Sequence, residues 1–215
     1  MTTDSPKSNY GGNSYNKQQL ANREASHPVL TDLEKIGIRV DWISDLYTKK
    51  LNYKVAIPIL LHWLPLIENI DVKETIVRAL TVSWAKPVAA PLLIKEFRKA
   101  GTGYSSLKWA IGNALSVIAD DSVYADVVNL VQDKRHGKAR EMLVLSLGNM
   151  KEVQAVDILI NLLKDDDLGG HAIMALGRIK SKKAYSEIEK FLTHPKPWIR
   201  REAKKALLKI EKLSK

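Results

Sequence analysis

The sequence predicts an all-α fold, a right-handed α-solenoid of about five helix pairs, and three observations lead there. A small residue followed by Leu recurs as Ala79-Leu80, Ala114-Leu115, Ser146-Leu147, Ala175-Leu176 and Ala206-Leu207, with Leu spacings of 35, 32, 29 and 31. Four residues before each Leu stand Ile76, Ile111, Leu143, Ala172 and Ala203, and three after stand Ser83, Ile118, Met150, Ile179 and Ile210. That i−4, i, i+3 stripe is one face of an amphipathic helix. Between successive pairs a second apolar pattern repeats, as in Ala56…Leu60…Leu64, Val123…Val127…Leu130 and Ala155…Leu159…Leu163. Helix pairs at a fixed period stack into a solenoid whose core is one continuous seam.

In chain order, residues 1–26 are rich in Asn, Ser, Gly, Gln and Lys and almost free of aliphatics, so they read as a disordered polar tail. Residues 27–52 read as short capping helices, about 29–36 and 39–49, opened by the capping-box spacing Thr31 to Glu34 and interrupted by Gly37. Residues 53–215 form the repeat array, in which Asp71 is an acceptable N-cap for its helix. Gly148 and Gly177, just past the small-Leu pair, read as easing the exit into the turn.

Charge is distributed unevenly. The net charge is +10: residues 1–26 carry +1, residues 27–177 balance, and residues 178–215 hold thirteen Lys or Arg against four Glu. The basic C-terminal end is either a solubilising cap or a polyanion-binding surface. The chain has no cysteine, which excludes disulfides, thiolate metal sites and Cys nucleophiles. The longest apolar run, Val55 to Leu66, is broken by Pro58, His62 and Pro65 and is too short to span a bilayer. With no apolar leader in the first twenty residues, a cytoplasmic protein is expected.

The run DDDLGGHAIMALGRIKSKKAYSEIEKFLTHPKPWIRREAKKALLKI resembles bacterial HEAT repeats, the short type found in HEAT-like phycobilin lyases and scaffold proteins. The resemblance covers about residues 53–213 and rests on the ALG-x-I turn and the Arg of WIRREA. It implies a ladder of cations on acids of neighbouring turns: Lys73, Lys108, Arg140 and Arg200 stand seven residues before the Leu, with Asp133 and Asp165 or Asp166 as partners. Gly169 breaks the series, and Gly169-Gly170 reads either as a close approach of backbone or ligand or as a late helix start.

The resemblance also implies that the second helix of each pair lines the concave side. Arg78, Trp109, Asn113, Leu145, Asn149, His171, Met174 and Arg178 are the expected partner-binding residues there, an apolar middle with polar edges, unless tighter packing buries the apolar ones. Trp109 is the tryptophan expected at the surface. Lys182, Lys183, Arg200, Arg201, Lys204 and Lys205 are the candidate polyanion-binding set. HEAT-like DNA glycosylases use Trp and Asp in a concave groove; here Trp109 has Asn113 one turn on, which counts against that chemistry. No catalytic set, metal site or cofactor motif emerges; His136 and His171 alone do not make a ligand cluster. A non-enzymatic scaffold for a protein partner is therefore expected, with a nucleic-acid binder as the alternative.

Overall fold

The computed structural model describes residues 10–86, 88–102, 105–150 and 153–212, whose regular elements are all helices, with no strand among them. The chain divides into two compact units after Ala79.

The first unit holds α1 (Tyr10–Lys35), α2 (Asp45–Thr48), α3 (Ile57–Trp63) and α4 (Ile70–Ala79). Residues 1–9 of the expected tail lie outside the described residues, but from Tyr10 onward the expected disorder is replaced by helix. Composition misleads here because the anchors are polar. Gln18 Nε2 and Asn22 Nδ2 donate to Asp71 Oδ2 at 2.9 and 3.0 Å, and Asn69 Nδ2 donates to Asn22 Oδ1 at 2.9 Å. Farther along the same helix, Val29 and Leu33 are fully buried. Thr31 is therefore not a cap: it lies inside α1 and its hydroxyl donates to the His27 carbonyl at 2.9 Å. Helix α1 ends where Gly37 turns left-handed (φ 84°) and Ile38 N reaches back to the Leu33 carbonyl at 3.0 Å, the closure glycine favours. Asn69, not Asp71, caps α4, its Oδ1 accepting from Val72 N at 3.2 Å. Tyr53, buried, donates to the Ala79 carbonyl at 2.8 Å and ties the start of the first pair to its end.

The second unit contains four helix pairs: α5 (Ala90–Lys99) with α6 (Ser106–Ile118), α7 (Tyr124–Gln132) with α8 (Arg140–Leu147), α9 (Val153–Leu162) with α10 (Gly169–Ile179), and α11 (Tyr185–Glu189) with α12 (Pro197–Glu211). The second helices α6, α8, α10 and α12 pack side by side in chain order. Leu115, Leu147 and Leu176 are fully buried, as are the apolar residues four before them. Ser146 joins this seam without an unsatisfied hydroxyl, because Oγ donates to the Leu143 carbonyl at 2.6 Å.

The glycines after the seam Leu do a different job from the one expected. Gly148 and Gly177 have ordinary right-handed helical geometry rather than a left-handed exit; the left-handed residue closing α10 is Lys180 (φ 57°). A Cβ on Gly148 would stand 2.9 Å from Ala175 Cα, and one on Gly177 would stand 2.9 Å from Ala206 Cα. Each glycine thus meets the small residue of the next repeat, and the two helices touch backbone to backbone. The Gly169-Gly170 gap is also a close approach. A Cβ on Gly169 would fall 2.7 Å from the Leu163 carbonyl oxygen, and one on Gly170 would fall 2.0 Å from Trp198 Cη2. The indole of α12 occupies the place of the missing side chain.

Candidate functional site

Of the cations seven residues before each Leu, Lys108 and Arg140 are buried and Lys73 and Arg200 half-buried. Arg140 is buried; its Nε donates to the Gly137 carbonyl at 3.1 Å, and Nη1 to the Val131 carbonyl at 3.2 Å and to Asp165 Oδ2 at 3.4 Å. Arg200 Nη1 donates to the carbonyls of His194 and Pro195 at 2.7 and 3.0 Å. These guanidiniums close helix ends and turns, so Arg200 leaves the polyanion set.

Lys108 is also fully buried. Its Nζ lies 2.9 Å from His136 Nδ1 and 5.0 Å from the Phe97 ring centroid. An ammonium has only donors, so Nδ1 accepts and the proton of the neutral ring sits on Nε2, which faces Asp133 Oδ2 at 3.7 Å. Asp133 is held below the usual carboxylate range chiefly by its hydrogen bond from Arg135.

Burial, followed by the Lys108 charge, holds His136 below the ordinary imidazole range. Burial does the same to His171, against the Glu141 charge. The unfolded chain takes up these protons near pH 6.5, whereas the folded chain takes them up only at lower pH. Within that interval the unfolded state binds more protons, so stability falls as pH drops below about 6.5 and levels off below the folded pKa values. Thermal melts from about pH 7.5 to 5 are expected to show a falling Tm, and a His136→Gln/His171→Gln chain a flatter profile. A Tm that does not move over that range would contradict this assignment.

The second-helix face of the second unit gathers most of the expected partner-binding residues. Trp109 and Val117 of α6 are exposed, Asn113 is half-buried, Met174 is half-buried on α10, and Asn149 and Arg178 are exposed. Leu145 is not available: it is buried, with Arg178 Nη1 of the next second helix reaching back to its carbonyl at 3.3 Å. Asn149 Nδ2 donates to the Ser116 carbonyl, and its Oδ1 accepts from Arg178 Nη1 at 3.4 Å. A polar relay therefore runs across α6, α8 and α10 and satisfies carbonyls at the ends of the first two. His171 is half-buried, its ring 5.8 Å from that of Trp198, and its buried Nδ1 has no hydrogen-bond partner. Arg78 lies in the first unit, where Glu74 is 3.7 Å away.

Trp109 is not alone at the surface: Trp42 is 40% exposed and Trp84 38%, against 36% for Trp109. Met174, Arg178, Lys205 and Lys209 line one shallow cavity of about 160 Å³ together with Glu202. Of the other candidate cations, Lys183 pairs with Asp157, Arg201 and Lys205 share Glu202, and Lys182 and Lys204 are exposed. Lys212, not singled out from the sequence, stands exposed just past the end of α12.

A cavity of about 500 Å³ in the first unit, lined by Gln18, Asn22, Trp42, Ser44, Asp71 and Thr75, was also not signalled by any motif. Its amides and carboxylate are already bonded to one another. Among the described residues no three His, Asp or Glu side chains are grouped to hold a metal ion, and no helix is long and apolar enough to cross a membrane.

Paired helices joined through a continuous seam, with buried Arg140 reaching Asp165 of the next turn, define an α-helical repeat protein. Residues 139–165 match the family model of the PBS lyase HEAT-like repeat, so the chain carries a stretch similar to a HEAT repeat of that type. The matched segment begins one residue before Arg140 and ends on Asp165, so it contains both halves of that ladder step. No curated protein matches the chain.

Proposed function

We propose that this protein is a non-enzymatic interaction scaffold that takes a partner polypeptide on the second-helix face of α6, α8, α10 and α12. HEAT repeats generally mediate protein interactions. The observation that carries the reading is the arrangement of that face. Trp109 and Val117 offer apolar contact at α6, Met174 continues it at α10, and Arg178, Lys205 and Lys209 supply charge toward α12. A Trp with polar neighbours is the residue type that dominates binding energy at protein interfaces, whereas Asn149 and Arg178 keep that face rigid through the relay.

The test is selection of binders to the full chain from a random peptide display library, followed by anisotropy titration of an enriched peptide. Trp109→Ala and Met174→Ala touch exposed or half-buried atoms and leave the seam intact. Trp109→Ala is expected to weaken binding by about thirtyfold or more, the scale of an interface hot spot. Failure to enrich any sequence, or an enriched peptide indifferent to both substitutions, would overturn the reading.

A further inference from the structure

We propose that the exposed face of α12 docks the phosphate backbone of double-stranded nucleic acid without reading its sequence. The inference shares Lys205 and Lys209 of α12 with the polypeptide-binding reading but rests on a different observation, the charge along the exposed side of that helix. Helix α12 buries Ile199, Ala203, Ala206, Leu207 and Ile210. At about 100° per residue, its exposed residues 197, 201, 204, 205, 208, 209 and 211, with 212 just past its end, fall within an arc of about 160°. Five of the eight are cations: Arg201, Lys204, Lys205, Lys209 and Lys212. The one carboxylate among them, Glu211, stands at the edge of the arc. Glu202, on its border, is shared by Arg201 and Lys205 at 3.6 and 2.9 Å, and Glu211 accepts a hydrogen bond from Tyr185 Oη at 2.6 Å. Lys204, Lys209 and Lys212 form no ion pair among the described residues.

A surface built only for solubility intersperses both signs. This one gathers five cations against one exposed carboxylate, in a chain whose residues 27–177 are neutral overall. Arg201, Lys205 and Lys209 follow one another at about 6 Å along the helix, close to the roughly 6.8 Å between alternate phosphates of one strand along a duplex. The remaining chemistry selects among polyanions. Helices that bind membrane surfaces bury a broad apolar face in lipid, but the apolar face of α12 is inside the protein and only Leu208, 49% exposed, and Pro197 interrupt the cations. Single strands are held by aromatic platforms, and the arc has no aromatic residue. A duplex needs neither.

The experiment is fluorescence anisotropy of a labelled DNA duplex of about 20 base pairs, titrated with the full chain at about 50 and 200 mM salt. Two variants remove the same charge: Arg201→Gln/Lys204→Gln/Lys205→Gln/Lys209→Gln on the arc, and Lys95→Gln/Lys134→Gln/Lys138→Gln/Lys164→Gln at exposed sites elsewhere in the second unit. Neutralising three to five phosphates gives a log–log salt slope of about −2.7 to −4.5, a loss of roughly 40- to 500-fold over that salt range. The arc variant is expected to bind at least about tenfold more weakly, and the control variant to stay within about threefold of the parent. No binding at low salt, or equal losses in both variants, would overturn the proposal. So would tighter binding to poly-glutamate or to vesicles of anionic lipid than to the duplex, which would assign the face to an acidic polypeptide or a membrane.

Discussion

Leu176→Ala and Leu147→Ala are each expected to lower the unfolding free energy by about 2–5 kcal/mol. Both side chains are fully buried in the seam between second helices. The cost of such a truncation depends on how far the surroundings collapse into the space left behind, and here they collapse little. Gly148 already touches Ala175, and Gly177 already touches Ala206, at distances a Cβ would violate. Helices in backbone contact beside the cavity cannot move closer to fill it, which places these sites in the upper part of the range. A domain is typically stable by only about 5–15 kcal/mol, so one such change removes a large share. Urea denaturation followed by circular dichroism measures it. Because each pair stabilises its neighbours, a fall in m-value beside the fall in midpoint would show the second unit losing its cooperativity. A loss below about 1 kcal/mol would mean that the small-Leu pair is not the core contact between repeats.

The seam was legible because it repeats: a small residue, a Leu and two apolar positions recur at nearly constant spacing, and local periodicity reports which face is buried. Contacts that do not repeat were not legible. Nothing near Gly170 announces that Trp198, far along the chain, supplies the side chain that the position lacks. The helix from Tyr10 to Lys35 was hidden because its attachment runs through Asn22, Asn69 and Asp71 rather than through an apolar stripe. At the candidate site, exposure followed the periodicity for Trp109, Val117 and Arg178. Pairing did not. Lys183 and Arg200 look like free cations in the sequence, yet one meets Asp157 and the other two backbone carbonyls. Leu145 faces the right way and is nonetheless covered, because burial depends on the neighbouring helix as well as its own.

Arg140→Met is expected to cost about 3 kcal/mol, within the range for removing one partner from a buried polar network. The methionine replaces most of the buried stem, so the loss comes from the guanidinium. Without it the carbonyls of Val131 and Gly137 lose donors at 3.2 and 3.1 Å in a place that water does not readily reach. Asp165 loses its cation but keeps a second role, since Oδ1 accepts from the backbone N–H groups of Asp167 and Leu168 at 3.0 and 3.1 Å and holds the turn before α10. Asp165→Asn should therefore cost less than Arg140→Met, because an amide oxygen still accepts those bonds. Arg140→Lys should recover only a minor part of the loss: an ammonium on a flexible stem cannot meet three acceptors in a fixed fork. Urea unfolding of the three variants checks the order. If Arg140→Met falls within about 1 kcal/mol of the parent, the ladder is dispensable and the turn between α9 and α10 is held by its own backbone.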